Sequence, residues 1–321
     1  MNTSRVRLHS LAKINLDLRV LNKRADGFHE LRTIFQTVSL ADEIDVEYTP
    51  ARATKLELDS SVEMADNLIL RAADLALEAM ATRAHLRFRL RKKIPMGGGL
   101  GGGSSNAAAV LLALPVLARK PLSMERLVEL GSKLGSDVPF FFRGGAALGL
   151  GRGTELYPLP DLPSHPVLLV APGVHVSTAE AYAALRRKLT NKLPSRIINS
   201  FQAFAWRLEN TGSGTNWDGE NDFENVVFGK HPQLESIRGK LLKAGAETAR
   251  MSGSGSTLFG IFRDRELRDR AALRIAREPG IGEIYPVTLV SRRRYQALWR
   301  RQLGIADMDG TVWPPRSRSK R

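Results

Sequence analysis

The chain of 321 residues contains no cysteine. Disulfides, thiolate metal ligands and a cysteine nucleophile are therefore excluded, and the composition is compatible with a cytoplasmic location. No stretch approaches the roughly 20 consecutive apolar residues that a membrane-spanning helix needs. The N-terminus, Met1-Asn2-Thr3-Ser4-Arg5-Val6-Arg7-Leu8, has no apolar signal core. A soluble, unexported protein with no membrane partner is expected. There is no internal repeat.

Acid is the charge in short supply: 33 Asp and Glu stand against 48 Lys and Arg, a net charge of +15. Much of the excess lies in Arg292-Arg293-Arg294, Arg300-Arg301 and Arg316-Ser317-Arg318-Ser319-Lys320-Arg321. Recognition of nucleic acid on a sheet face would need aromatics interleaved with the basic residues, and Phe88 alone fits. The excess is read as a solvated basic surface and tail, with no nucleic-acid partner; a cleft for anionic substrates would use such charge equally well. Residues 304–321 hold Pro314-Pro315 and little apolar periodicity, so a disordered basic tail, dispensable for activity, is expected there.

Glycine, by contrast, is concentrated in one place. Pro95-Met96-Gly97-Gly98-Gly99-Leu100-Gly101-Gly102-Gly103-Ser104-Ser105-Asn106 runs directly into Ala107-Ala108-Ala109-Val110-Leu111-Leu112. Ser104 and Ser105 are good N-cap residues, and a helix from Ser105 to about Leu117 is expected. Bare amides at the start of a helix make a phosphate site. The P-loop pattern is absent, because no lysine precedes Ser104. Gly97, Gly99 and Gly102 fit G-x-G-x-x-G, but the glycine density makes that match nearly automatic. The preceding strand also argues against a dinucleotide fold. It alternates, with Leu86, Phe88 and Leu90 on one face and His85, Arg87, Arg89 and Arg91 on the other, whereas such folds bury both faces. A sheet with one wet face implies α+β architecture. A flexible glycine linker is the remaining alternative.

A second alternating stretch runs from Leu11 to Val20. Ala12, Ile14, Leu16, Leu18 and Val20 are expected on a buried face, with Lys13, Asn15, Asp17 and Arg19 displayed together on a wet one. Strands are also expected near Leu31–Leu40, Glu43–Tyr48 and Lys55–Leu58, and a helix over Asn67–Met80. Gly135–Phe142 reads as a loop entering an apolar strand, and Asn210–Asn225 as a long loop. Thr178 is placed as the cap of a helix over Ala179–Leu189. Prolines at 158, 160, 163, 166 and 172 mark a domain boundary. The division is 1–162 and 163–283, with a closing strand at about 284–300 free to return to the first domain.

Phosphoryl transfer needs the phosphates held, their charge met and an acceptor hydroxyl aligned or deprotonated. A lysine on a strand face such as Lys13, or an aspartate in a turn such as Asp137, is more often only solvated or structural. Together with the glycine loop, they gain weight from a resemblance. Ala12-Lys13-Ile14-Asn15-Leu16, the glycine loop and Ser252-Gly253-Ser254-Gly255-Ser256 resemble, in order, three motifs of the GHMP kinases. Lys23-Arg24-Ala25-Asp26-Gly27-Phe28-His29 resembles a segment of the 4-diphosphocytidyl-2-C-methyl-D-erythritol kinase family. Asp66-Asn67-Leu68-Ile69 and Gly135-Ser136-Asp137-Val138-Pro139 are similar to that family too.

The resemblance implies a two-domain GHMP kinase fold, with a ribosomal S5-like N-terminal domain and a ferredoxin-like C-terminal domain. It implies ATP and Mg²⁺, and a cytidine diphosphate-linked methylerythritol phosphorylated on its 2-hydroxyl, in a monomer or homodimer. By position, Asp137 corresponds to the catalytic aspartate and Lys13 to its partner lysine. Pro95, Met96, Gly97, Gly98, Gly99, Leu100, Gly101, Gly102, Gly103, Ser104 and Ser105 would hold the ATP phosphates, with Asn67 and Lys92 on the adenosine side. Asn15, His29, Thr178 and Tyr182 would face the substrate, with cytosine between Phe28 and Tyr182. No metal ligand is identified. Position 28 is Phe where that family usually has Tyr, which keeps a stacking ring but loses a phenol. The alternatives are another GHMP kinase, of homoserine or mevalonate type, and a non-catalytic basic nucleotide-binding protein.

Overall fold

In a computed structural model the described residues are 3–25, 27, 29–62, 67–186, 194–209, 217–305 and 313–316. Asp26, Phe28 and Asp66 lie outside them. Two sheets carry the architecture. The first holds β1 (Ser4–Lys23), β2 (His29–Pro50), β3 (Lys55–Ser60), β4 (Ala84–Arg91), β5 (Ala146–Gly151) and β6 (Glu155–Pro158), in the order β3-β4-β2-β5-β6 with β1 also on β2. Helices α1 (Leu68–Ala79), α2 (Gly102–Leu117) and α3 (Met124–Leu134) share its core. The second sheet holds β7 (Pro166–Ala171), β8 (Thr248–Met251), β9 (Leu258–Ile261) and β10 (Glu283–Thr288), in the order β10-β7-β9-β8, antiparallel throughout. Between β7 and β8 run α4 (Thr178–Arg186), α5 (Pro194–Glu209), α6 (Glu224–Lys230) and α7 (Pro232–Lys243); α8 (Arg265–Ile275) joins β9 to β10. Helical crossovers on either side of a hairpin, with the first strand inside the last, give the expected ferredoxin-like order.

Both β1 and β2 are long. The two strands expected at Leu31–Leu40 and Glu43–Tyr48 are one, because Asp42 is no turn residue: it is fully buried and accepts the amides of Lys93 and Ile94, each at 2.8 Å. β4 pairs with the C-terminal half of β2, and β5 with its N-terminal half. Along β4, Leu86, Phe88 and Leu90 are buried and Arg87 and Arg89 are exposed, as the alternation predicts.

β1 departs from its alternation. Its register on β2 shifts between Asn15 and Asp17: Lys13 pairs with Thr37 and Asn15 with Phe35, but Asp17 pairs with Ile34 and Leu18 with Thr33. Directly paired residues share a face, so this bulge exchanges the two faces. Lys13 and Asn15 point with Phe35 and Thr33 into a cleft; Asp17 and Arg19 point to the other side. None of the four is wet, each being 3% exposed or less. A shared wet face is thereby corrected.

Other local expectations change for stated reasons. α2 begins at Gly102, with Gly101 as its N-cap in the left-handed region, so neither Ser104 nor Ser105 caps it. Pro139–Phe142 is a 3₁₀ turn with all three phenylalanines buried, not a strand. Ser177 precedes α4 and accepts from the amide of Glu180, while the Thr178 hydroxyl reaches Ser254 instead. β10 belongs to the second sheet; the chain returns to the first domain through a Val38–Leu289 bridge and α9 (Arg292–Gln302). That helix was hidden because arginines surround its apolar spacing, Tyr295, Leu298 and Trp299. The expected tail disorder is overturned at Trp313–Arg316, where Trp313 packs on the first core and Pro314 and Pro315 are buried. Among the described residues, no helix is long and apolar enough to cross a membrane.

Candidate active site

The glycine run forms a strap whose residues alternate between outside and inside. Gly97, Gly99, Gly101, Gly103 and Ser104 keep accessible surface; Gly98, Leu100, Gly102 and Ser105 are buried. Pro95 and Met96 lead in from outside, with Met96 58% exposed. Gly99 has φ +75°, and a Cβ built there would fall 2.0 Å from the carbonyl oxygen of Ser252. No side chain fits where two backbones cross. Gly101 is closed in by the Phe141 ring on one side and the stem of Lys13 on the other. The second glycine turn locks the strap: the Ser252 hydroxyl donates to Gly99 O at 2.9 Å, and the Thr257 amide to Gly98 O at 3.3 Å. The Ser105 hydroxyl is donated to Leu11 O at 2.7 Å and is structural.

Under the strap lies Lys13. Its ammonium reaches Asn15 Oδ1 at 2.7 Å, Gly99 O at 3.0 Å and Asp137 Oδ2 at 3.4 Å, and sits 5.4 Å from the Phe35 ring centre. An ammonium has three N–H donors, and three acceptors surround this one. Asn15 is oriented in turn, its amide donating to Thr33 Oγ1 at 2.7 Å. The Asp137 side chain is 32% exposed against 4% for Lys13, so the cation forms the floor of the cleft and the carboxylate its rim. α3 ends at Gly135 and the 3₁₀ turn begins at Pro139, which holds Asp137 in a short, doubly anchored loop. The cleft encloses about 270 Å³ and is also lined by Arg152, Thr178, Tyr182 and Gly253.

From the second domain, Tyr182 faces His29 with ring centres 4.7 Å apart and planes 23° from parallel. Tyr182 is held edge-on by Phe223 at 4.8 Å. Burial, aided by the charge of Asp137, pushes the Tyr182 phenol up to about 12, so it stays a neutral hydroxyl at physiological pH. His29 thus occupies the Tyr182 face that the sequence assigned to a base. Phe28, the other expected ring, lies outside the described residues.

Lys92 does not face the cleft. Its ammonium pairs with Asp42 at 2.8 Å beneath α2, and a Cβ on Gly102 would fall 2.9 Å from it. Burial lowers its pKa against the pull of Asp42. Asp42 also accepts from Asn106 at 3.0 Å, so this pair braces the strap from behind. Asn67 caps α1, accepting the Ile69 amide at 2.9 Å; the next residue, Leu68, lies 3.6 Å from a Cβ built on Gly103, at the outer end of the strap.

Residues that sequence reasoning passed over connect these parts. Asn221 donates to Met251 O and Gly253 O, both at 2.8 Å, fixing the turn that locks Gly99. The Glu224 carboxylate accepts the Met251 amide at 2.8 Å, and Arg250 donates to Leu16 O at 3.0 Å. Asp17, paired with Arg19 at 2.9 Å, accepts the Glu220 amide at 2.8 Å. Burial raises the pKa of Asp17 and Glu224 and lowers that of Arg250, with the opposite charges nearby opposing each shift. The segment Glu220-Asn221-Asp222-Phe223-Glu224 was legible only as a polar loop. Its one signal was an apolar Phe223 among acids and amides.

The family model described as GHMP kinases N terminal domain matches residues 67–145, and GHMP kinases C terminal matches 202–281. A 4-diphosphocytidyl-2-C-methyl-D-erythritol kinase of Solibacter usitatus is 52% identical over 99% of both chains. One of Citrifermentans bemidjiense is 40% identical, over 86% of this chain and 96% of its own. A crystal structure of 4-(cytidine 5'-diphospho)-2C-methyl-D-erythritol kinase superposes with a TM-score of 0.74 at 37% identity, over 88% of this chain and 98% of that one. A homoserine kinase from Cytophaga hutchinsonii superposes at 0.68 with 18% identity, a likeness of fold. The chain belongs to the GHMP kinases and, within them, to the 4-diphosphocytidyl-2-C-methyl-D-erythritol kinase family.

Proposed function

We propose that the protein transfers the γ-phosphoryl group of ATP to the 2-hydroxyl of 4-diphosphocytidyl-2-C-methyl-D-erythritol, in the bacterial cytoplasm. The observation that carries the reading is the Lys13–Asp137 pair, 3.4 Å apart, beneath the glycine strap and beside the His29–Tyr182 rings. Asp137 takes the proton of the acceptor hydroxyl. Lys13 orients that carboxylate and meets the charge that spreads over the transferred oxygens. The accessible amides of the strap, at the start of α2, cradle the donor phosphates. Mg²⁺ arrives on those phosphates as part of the donor.

The base is read by the second domain and β2. A cytosine ring takes the place of His29 on the face of Tyr182, and His29 moves to the edge of the base. Homoserine and mevalonate present no base, so the ring pair would be idle in kinases for them.

The test is an acceptor panel with ATP: the cytidine and uridine forms of diphospho-methylerythritol, homoserine and mevalonate. Turnover is expected with the cytidine form well ahead of the uridine form, and His29→Ala should narrow that ratio. Turnover of homoserine or mevalonate instead would overturn the substrate, and ATP binding without transfer to any acceptor would overturn the activity.

A further inference from the structure

The turn that follows Asp137 is fastened from outside the cleft by the end of the chain. Pro139–Phe142 is too short to satisfy its own last carbonyls, as at any helix end. Two of them find partners remote in sequence. The Tyr295 hydroxyl, on α9, donates to Phe141 O at 2.5 Å. The Trp313 indole N–H donates to Phe142 O at 2.8 Å. Tyr295 is 1% exposed, and Trp313 packs on the same core with the Arg300 guanidinium 5.8 Å from its ring.

What these bonds hold is more than a turn. The Phe141 ring is the surface against which Gly101 of the phosphate strap closes, with a built Cβ only 2.9 Å from its Cζ. Phe140 packs on Phe35 at 5.0 Å between ring centres, and Phe35 lies beneath the Lys13 ammonium. Asp137 stands two residues before the turn. One 3₁₀ turn therefore sets the carboxylate, the strap and the support of the lysine relative to one another.

We propose that Trp313 is a positioning residue: the C-terminal segment latches the Asp137 turn through the Trp313 N–H, and catalysis depends on that latch. A buried carbonyl that loses its donor is driven to find another, and the turn shifts to do so. Reacting groups tolerate little such movement. The inference rests on the reading of Asp137 given above. Turnover of the unaltered protein tests that reading, and the ratio of variant to unaltered protein tests this one.

Trp313→Phe keeps an apolar ring and removes the donor; Trp313→Ala removes both. In the full chain, well below its Tm, Trp313→Phe is expected to lower kcat about ten-fold. KM for ATP should stay within about two-fold, because the strap keeps its locks on Ser252 and Thr257. Tyr295→Phe, which removes the neighbouring bond, should give the same split. Unchanged kcat in folded Trp313→Phe, with Tm lowered only in Trp313→Ala, would overturn the proposal and leave Trp313 as packing. A parallel loss of kcat and ATP affinity in Trp313→Phe would overturn it as well.

Discussion

β1 and β4 carry the same alternation of apolar and charged residues, and the molecule uses them in opposite ways. β4 keeps one register along its whole pairing with β2, so its charged side chains stay on one face. That face is open, and each cation meets an acid: Arg87 reaches Glu57 at 2.6 Å, Arg89 reaches Asp59 at 3.0 Å, and Arg91 lies 3.4 Å from both Glu43 and Asp45. Such exposed pairs contribute little to stability. They turn a basic strand into a lattice of mixed sign. β1 shifts register on β2 at three places, the one between Asn15 and Asp17 dividing its polar residues, and has a second domain over it. The same four-residue polar pattern is split into a pair that faces the cleft, Lys13 and Asn15, and a pair that braces the fold, Asp17 and Arg19, all buried. Binary patterning selects the strand; the register and the second layer decide what its polar residues do.

The largest effect should come from the cleft half of that split. Asp137→Asn is expected to lower kcat about 10²–10⁴-fold, with ATP affinity within a few-fold. Lys13→Met should fall in a similar range. The double variant Arg87→Ala/Arg89→Ala, on β4, should leave kcat within about two-fold, since surface substitutions seldom reach the site. Steady-state turnover and ATP titration of the purified variants separate these outcomes. Turnover close to normal in Asp137→Asn, or a comparable loss in the β4 variant, would erase the distinction.

The structural half should show in stability. Arg19→Met leaves Asp17 buried, 0% exposed, without its ion-pair partner. Breaking one side of such a pair costs about 3–5 kcal/mol. Asp17→Asn added to it should recover part of the loss, because the unpaired charge is then gone. Arg89→Met, its β4 counterpart, should cost no more than about 1 kcal/mol. Urea denaturation gives all three, and a cost for Arg19→Met as small as that for Arg89→Met would mean the β1 pair is in effect solvated.

These contrasts also mark how far the sequence could be read. The glycine strap was legible because its requirement is chemical and local: only glycine tolerates the crossing at Gly99. β4 was legible because nothing interrupts its period. The β1 bulge was not, since a register shift leaves no trace in a strand's own residues. α9 was masked by arginines around Tyr295, Leu298 and Trp299, and Trp313 by its proline-rich and basic neighbours. Lys92 was assigned to the nucleotide by position, yet its ammonium is taken by Asp42 behind the strap. Asn221 was unreadable because an amide that holds two remote carbonyls looks like any loop amide until the fold is closed.

The smallest effect, and the sharpest test of the comparison, lies in the sign of pH dependence. Burial raises the pKa of Asp17 above its ordinary 3.8. A raised folded value means that the folded state takes up the proton more readily than the unfolded one. That contribution to stability is complete below the unfolded pKa and is lost as pH rises through the folded one. Asp17→Asn cannot lose it, so the variant should gain on the unaltered protein as pH rises from below 4 toward neutral. Glu57, on β4, behaves oppositely. Its partners Lys55, Arg87 and His85 pull its pKa from 4.5 down to about 2. Its contribution is present above 4.5 and lost as pH falls toward 2, so Glu57→Gln should trail the unaltered protein at neutral pH and draw level in acid. Salt adds a second distinction. Exposed pairs are screened within about a Debye length, and buried ones much less. Raising ionic strength should therefore flatten the Glu57 difference and leave the Asp17 slope standing. Urea midpoints between pH 3 and pH 7, at low and high salt, read both curves; slopes of the same sign would show that the two polar faces share one environment after all.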